Sequence, residues 1–432
     1  MNGIARLLLA LTFLMPIGLA AQPEFGGFLR LDKRVNVGGD SLTIADFYNR
    51  FRLETTTSLG QQLYVFSSAD FRFYDLPRVS SLEGLEDATQ EFPTELTLWE
   101  AYVDVYGFLS DNFDLRVGKQ RLAWGTADKL NPTDNLNPDD FSDLVNFTDK
   151  IPTWAVKGTY YFGDVTLTGV WLPTLTPILL PRNGASLFLG EQVSSFQNSL
   201  TLPAQRPQNS MFGVKLDSRF GLWDYSLSYF NGYDDIPVLR RLVISDDVGS
   251  SGQLDLGFPK MQVIGADFAT ELFGAGFWGE GALFIPEKVV SQTTVGNVTQ
   301  TNVELDDEPY FKFTLGGDYT FPNGFYVNGQ WMHGFFTERG REALHDYFFL
   351  ELEKSFLRDE VKVKLDGALE IADWNDIGAS YGSGVFPEVT YQAIDNLEMS
   401  LGAFMIINGE ADTFFENWQQ ADQVYMSVKV DF

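Results

Sequence analysis

The chain has 432 residues, with 59 Asp+Glu against 30 Lys+Arg for a formal net charge of −29, 15% aromatic residues and no cysteine. That acidity excludes nucleic acid as a partner, because its phosphates would be repelled; the missing thiols exclude disulfides, Cys-ligated metals and a lipidated cysteine; and the aromatic content excludes a disordered chain. His333 and His345 are the two histidines, which leaves little for histidine-based catalysis.

Residues 1–20, MNGIARLLLALTFLMPIGLA, carry one early positive charge at Arg6, an apolar run from Leu7 and small residues before a cleavage point after Ala20. This is the pattern of a secretory signal peptide. The apolar run, interrupted by Pro16, is shorter than the roughly 20 residues that a membrane-spanning helix needs. Residues 21–432 are then expected to form one domain.

From there to the last residue the pattern has period two. Val424, Met426, Val428 and Val430 alternate with Gln423, Tyr425, Ser427 and Lys429, and Val361, Val363 and Leu365 alternate with Lys362, Lys364 and Asp366. Such segments put apolar groups on one sheet face and polar groups on the other. Strands are predicted near 25–37, 44–58, 62–76, 94–108, 112–124, 153–162, 165–174, 210–219 and 222–233. Others follow near 259–272, 275–287, 309–321, 325–337, 344–356, 360–373, 379–391, 395–407 and 421–432. That makes about 18 strands, with 16 as the alternative. Tight turns such as Gly163-Asp164, Phe220-Gly221 and Arg358-Asp359 take turns with long connections at 77–93, 125–152, 175–209, 234–258 and 288–308. A soluble sandwich shares the alternation but has no reason to segregate loop lengths. An all-β, transmembrane, antiparallel up-and-down β-barrel does, with short periplasmic turns and long extracellular loops. Aromatics near strand ends (Trp99 and Phe108, Trp154 and Phe162, Trp223 and Phe230, Phe311 and Phe321) are expected in its interfacial girdles.

The polar parity then faces the lumen. It places Arg30, Asp32 and Arg34 inside on the first strand, Asp46, Arg50, Arg52 and Glu54 on the second, Asp70 and Arg72 on the third, and Glu100 and Asp104 on the fourth. On the fifth strand Arg116 faces in, whereas Lys119 and Arg121 on the opposite parity would meet lipid at a cost of up to about 2–4 kcal/mol each. A bulge at Gly118 is therefore predicted, which turns Lys119 and Arg121 inward and Leu122 and Trp124 outward. The result is an arginine-rich pore lining. Either these arginines steer anions, as charged pore-lining rings do, or they pair with Asp32, Glu54, Asp70, Glu100 and Asp104 as a structural network. The lumen as a whole is expected to be polar and aqueous.

Loop 125–152 contains Asp128, Asp134, Asp139, Asp140, Asp143 and Asp149. Carboxylates at this density suit a Ca²⁺ ion, but the spacing is not that of an EF-hand. The alternative is that the loop folds inward and its acids meet Lys119 and Arg121. Loop 175–209 is less polar and long enough to plug the lumen or to present an apolar surface. Neither histidine has a serine in the adjacent same-face position and no Gly-x-Ser-x-Gly elbow occurs, so no enzyme, catalytic residue, metal or cofactor is expected.

The stretch Leu115-Arg116-Val117-Gly118-Lys119-Gln120-Arg121-Leu122-Ala123-Trp124-Gly125, followed by Asn131-Pro132 and Asn137-Pro138, resembles a family of Gram-negative outer-membrane porin-like proteins in which a Val-Gly-Arg-Gln strand runs into Trp-Gly and an Asn-Pro loop. It is similar, more distantly, to alginate-export-type porins with an arginine-lined barrel. Lys119 stands where that pattern has Arg, which keeps the charge but loses the bidentate fork. The terminal Phe432 also resembles the signal by which outer-membrane barrels are recognised for insertion. The resemblance implies transport across the bacterial outer membrane, with outer-membrane lipids and small solutes as partners and a periplasmic export component as a further one. Three functions stay open: a channel for small anionic solutes, a loop-gated export or lipid/polymer-handling barrel, and a closed structural or adhesive barrel.

Overall fold

The computed structural model of the chain describes residues 22–39, 41–45, 47–74, 76–77, 79, 81–128, 130–146, 149–181, 197–244 and 252–432. The expected signal peptide, Asp46 and the middle of loop 175–209 lie outside the described residues.

The period-two segments become 18 antiparallel strands that close on themselves. The first half of the cylinder is β1 (Glu24–Asn36), β2 (Asn49–Leu59), β3 (Leu63–Phe73), β4 (Thr94–Val105), β5 (Phe113–Gln120), β6 (Thr153–Phe162), β7 (Val165–Leu172), β8 (Met211–Phe220) and β9 (Trp223–Tyr233). The second half is β10 (Lys260–Leu272), β11 (Ala275–Pro286), β12 (Tyr310–Thr320), β13 (Phe325–His333), β14 (Asp346–Phe356), β15 (Val361–Ile371), β16 (Tyr381–Ile394), β17 (Leu397–Gly409) and β18 (Gln423–Asp431). Each strand pairs with its neighbours in sequence, and β1 closes the ring by pairing with both β2 and β18, Leu29 opposite Phe51 on one side and Val430 on the other. Closure leaves the cylinder with no edge strand to template aggregation. Phe432 extends the seam: its N–H donates to the Gly27 carbonyl and its ring stacks on Phe51.

Alternation sets the two faces. On β15, Val363, Leu365 and Leu369 are exposed on the outside while Ala368 and Glu370 are buried within. The same exposed apolar parity continues round the barrel through Phe51, Val117, Trp171, Leu216, Ile264, Leu315 and Val389. An outward apolar band of this kind is what a bilayer core requires of a barrel. Trp154, Phe162, Trp223, Phe311 and Phe321 lie on this outer face as expected, but Trp99 and Phe230 are buried on the inside.

Two features depart from the sequence reading. Connections 234–258 and 288–308, expected as loops, carry hairpins: Val238–Ile244 with Gly252–Gly257, and Val289–Val295 with Val298–Leu305. With Gln197–Thr201 these build a separate five-stranded sheet. The bulge expected at Gly118 is also elsewhere. Pairing runs through Gly118 without a register shift on either side, and the irregularity lies on β4, where Ser68 faces Glu100 but Ala69 faces Leu98. The extra residue, Trp99, turns into the lumen. Gly118, opposite, has φ +141°, and a Cβ there would run into the Ala101 carbonyl and come within 2.6 Å of Tyr102 Cα, so glycine is what lets β5 close against the bulged strand.

Candidate functional site

The connection from β5 to β6, residues 121–152, turns into the barrel instead of standing above it. Its apolar residues decide this. Leu122, Trp124 and Leu136 are buried in one cluster with the inward-facing Val170, Leu172, Met211, Phe230, Val263 and Phe284 of the wall. Gly213 makes room for them, since a Cβ there would come 2.7 Å from the Trp124 ring. Leu130 packs with Met332, Phe335 and Tyr347, and Phe141 with Ile406, Phe415 and Trp418. The lumen is thus not polar throughout: its long-loop half is a packed apolar core. Leu122 and Trp124 face into that core and not outward, because without a bulge at Gly118 they continue the inward parity of Gly118 and Gln120.

Buried polar groups fix the loop where it enters. Gly125 has φ +86°, and a Cβ there would collide with the Glu280 carboxylate and lie 2.7 Å from Thr133 Oγ1. Glu280, buried on β11, accepts a 2.7 Å hydrogen bond from the Thr126 N–H, with longer ones from Ala127 N–H, Asn131 Nδ2 and Thr133 Oγ1. Asn137 ties the loop ends together: its Oδ1 accepts from the Leu122 N–H at 2.7 Å, and its Nδ2 donates to the Ile151 carbonyl at 2.8 Å. Asn328 Nδ2 donates to Asp128 at 2.7 Å. The Trp-Gly and Asn-Pro positions of the sequence are therefore the loop's own fastenings.

The expected arginine wall is present and is largely neutralised. Arg34, 1% exposed at its side chain, forms bidentate pairs with Asp32 of its own strand and with Asp143 of the loop, at 2.6–3.0 Å. Arg50 and Arg52 converge on Asp70, and Arg50 also lies 3.9 Å from Asp149. Arg72 donates to Asp140 at 3.0 Å. The guanidiniums of Arg50, Arg52 and Arg72 lie 4.8, 5.1 and 5.2 Å from the centre of the Trp99 ring, so the bulged residue supplies a π face to three like charges. Arg116 pairs bidentately with Asp104 at 2.6 and 2.8 Å and stacks 3.9 Å over Tyr102. Arg121 reaches Asp134 at 2.6 Å, and its N–H donates to Glu100 at 2.7 Å.

Lys119 departs from the expectation. It keeps the outward parity of Val117 and pairs with the exposed Trp154; its ammonium turns back to donate to the Leu98 carbonyl beside the bulge, at 2.7 Å. Lysine can bear this because its stem lies along apolar surface while the charged head finds a polar partner. Arg30 faces the open lumen with no salt bridge among the described residues.

The loop acids are thus partners of cations on the wall and in the loop itself: Asp140, Asp143 and Asp149 meet wall arginines, Asp134 meets Arg121, and Asp139 meets Lys150 of the same loop at 2.8 Å. Burial works against the charge on Asp143, but the Arg34 guanidinium, with hydrogen bonds from Asn146 and the Val145 N–H, holds its carboxyl below the usual range. Other long loops join this assembly. Arg339 pairs with Asp234, the Phe141 N–H donates to the Leu179 carbonyl at 2.9 Å, and the Asp139 N–H donates to Asp235 at 3.0 Å. Burial, with Asp139 and Asp234 close by, pushes the Asp235 carboxyl up to about 7. His345 Nδ1 lies 2.8 Å from Glu370 and 3.5 Å from Glu338, and Glu370 also receives the Phe414 N–H at 2.9 Å.

The short-turn half of the lumen stays open. A chamber of about 530 Å³ lies between the inner wall of β14–β18 and β1 on one side and the loop residues Asp128, Val145 and Asn146 on the other. Its charged lining is Asp32, Asp128, Glu351, Asp366, Glu388 and Glu398 against Arg30 and Lys364.

The family model described as "Protein of unknown function (DUF1302)" matches residues 45–344. The chain belongs to this family. The matched region holds the whole of loop 121–152 and the arginine wall from Arg50 to Arg121. Among solved structures the chain is similar to OccK8 (OprE) of Pseudomonas aeruginosa, at 11% identity and a TM-score of 0.51 over 95% of this chain and 98% of that one. It is equally similar to OccK11 (OpdR) of the same organism, at 11% identity and 0.51 over 95% and 96%. The outer-membrane channel DcaP of Acinetobacter baumannii aligns over 97% and 99% at 12% identity with a TM-score of 0.40. No curated protein matches the sequence. The fold of this DUF1302 member is that of an outer-membrane β-barrel.

Sequence reasoning missed Glu280, placed Trp99 in a girdle and gave Asn137 no role beyond the Asn-Pro motif. Trp99 had a signal: Leu96 and Leu98 share one parity and Ala101, Val103 and Val105 the other, so the alternation of β4 breaks at Trp99. Glu280 had none, because its value lies in a loop 154 positions away.

Proposed function

We propose that the chain is an outer-membrane channel for small solutes, a transporter and not an enzyme, in which loop 121–152 sets passage from inside the lumen. The observation that carries this is the juxtaposition of an open, charged chamber of about 530 Å³ with a loop held above it by ion pairs and an apolar core. A purely structural barrel has no use for a hydrated chamber. The outer face of exposed aliphatic and aromatic side chains supports residence in the membrane, and the resemblance of the stretch 115–138 to Gram-negative outer-membrane porin-like proteins supports transport, in either direction.

Apart from Arg30, the arginines expected to select anions are occupied by Asp32, Asp70, Asp104, Asp134, Asp140 and Asp143. An ion pair presents little net field to a passing solute, so preference falls to the chamber lining, which carries more carboxylates than cations. The channel therefore favours neutral or cationic solutes over anions. Reversal potentials in planar bilayers under a KCl gradient test this. Glu351→Gln with Glu388→Gln and Glu398→Gln should move the reversal potential toward anion preference, while Arg50→Ala with Arg116→Ala should not reduce an anion preference. An anion-selective native channel whose selectivity disappears with the arginines would restore the expectation drawn from sequence.

A further inference from the structure

The connection from β13 to β14 carries Glu338 and His345, and with Glu370 of β15 these bring one imidazole nitrogen and two carboxylate oxygens within 4.8 Å of one another. His345 Nδ1 lies 2.8 Å from Glu370 Oε1 and 3.5 Å from Glu338 Oε1. The Tyr347 hydroxyl stands at the same point, 2.5 Å from Glu338 Oε1 and 2.9 Å from Glu370 Oε1. Backbone amides aim the two acids. Glu338 Oε2 accepts from the Phe335 and His345 N–H groups, and Glu370 accepts from the Phe414 N–H at Oε1 and the Phe415 N–H at Oε2. Each carboxylate therefore turns one oxygen to the shared point and is held in that orientation from behind, as outer hydrogen bonds hold metal ligands.

Charge does not balance within this cluster. Glu370 is fully buried and Glu338 largely so, and two carboxylates that share a site cannot both stay ionised without a cation between them. Among the described residues neither pairs with a lysine or an arginine; the nearby Lys312 ammonium ends on the carbonyls of Phe335 and Glu338. Tyr347 has one proton to offer two carboxylate oxygens. A proton on His345 neutralises one of the two acids, and it plays this part in the metal-free chain. A divalent ion neutralises both. Imidazole nitrogen and carboxylate oxygen are ligands of Zn²⁺ at about 2.0–2.2 Å, which sets donor atoms about 3.4 Å apart around a tetrahedral ion. The cluster has to open by less than about 1 Å to reach that geometry.

We propose that Glu338, His345 and Glu370 bind one Zn²⁺ ion, with the Tyr347 oxygen as the fourth ligand. The sequence reading expected no metal, because these ligands come from two segments and form no spaced motif. The ion acts as a clasp. It joins the β13–β14 connection to β15 and, through the Phe414 and Phe415 amides on Glu370, to the last long loop, whose Phe415 and Trp418 pack on Phe141 of loop 121–152. The site stands whether or not the barrel conducts. Equilibrium dialysis of Zn²⁺ against the purified, chelator-treated full chain measures binding, with millimolar Mg²⁺ present to occupy surface carboxylates. X-ray absorption at the zinc edge reads the ligands, and hydrogen exchange reads the clasp. The native chain should bind one Zn²⁺ through one imidazole and oxygen ligands at about 2.0–2.2 Å, with slowed exchange of the Phe414 and Phe415 amides. His345→Ala and Glu370→Gln should each weaken binding at least tenfold, and Glu338→Gln decides the matter if Glu370→Gln does not fold. His333→Ala, which removes the other histidine, should leave binding unchanged. No stoichiometric Zn²⁺, a spectrum without imidazole, unchanged exchange at 414 and 415, native affinity in a folded His345→Ala chain, or loss of binding in a folded His333→Ala chain would each overturn the proposal.

Discussion

Replacing Asp143 by Ala probes the hold of the loop at a single point. Arg34 is fully buried and uses its guanidinium on both Asp32 and Asp143, the latter through two charge-assisted hydrogen bonds at 2.6 and 2.9 Å. Removing one partner of a buried pair costs about 3–5 kcal/mol when a charge is stranded. Here Asp32 stays in contact, so a cost of about 2–3 kcal/mol is expected. At about 1.4 kcal/mol per factor of ten, the undocked population of loop 121–152 should rise about 30- to 150-fold. Single-channel recording reads this as more frequent open events, and hydrogen exchange reads it as lost protection at residues 139–146 with the barrel strands unaffected. Asp224→Ala serves as the control: its pair with Arg219 is largely exposed, where such pairs contribute about 0–1 kcal/mol. Unchanged opening and exchange in Asp143→Ala, or an equal change in Asp224→Ala, would refute the reasoning.

Gly125→Ala should undock the start of the loop, because φ +86° costs an L-residue about 1–2 kcal/mol and the new methyl meets the Glu280 carboxylate; amides 122–137 should exchange at least tenfold faster in a barrel that still folds, as judged by far-UV circular dichroism. Raising the pH should loosen the loops. The Asp235 carboxyl, raised to about 7, favours the docked state while protonated, and that contribution is lost as pH rises through 7. Burial disfavours the charge on His345, but its hydrogen bond to Glu370 and the nearby Glu338 outweigh this and raise it, so its contribution is full below about 6.5 and is lost above its raised value. Opening should therefore increase from pH 6 to pH 8.5, less so in Asp235→Asn, and loops that tighten over that range would contradict the assignment.

The barrel was legible because lipid outside and water inside force a period of two, and loop lengths segregate by rim; each of the predicted strand ranges overlaps an observed strand. The meeting of Arg121 with an acid of the following loop was legible too, since buried opposite charges in adjacent segments must find each other. What stayed hidden depends on partners distant in sequence. The alternation of β7, β9 and β11 carries Val170, Phe230 and Phe284 on the inward parity, a sign that part of the lumen is dry, but nothing local says which loop covers them. Lys119 was misplaced for a similar reason. The carbonyl that satisfies it is freed by a bulge on the neighbouring strand, so a charge on the outward parity needed no change of register. The arginine wall was read correctly in position, while its neutralisation by Asp140 and Asp143 depends on a fold of the loop that period and spacing do not encode.

The claim on which the account depends is that loop 121–152, docked in the lumen, governs passage through an otherwise open barrel. Replacing residues 126–149 with a short Gly-Ser linker and recording single-channel conductance in planar bilayers tests it most directly. The account predicts a several-fold larger, continuously open conductance that does not favour anions. A barrel that folds and inserts yet carries no current after this excision would contradict it.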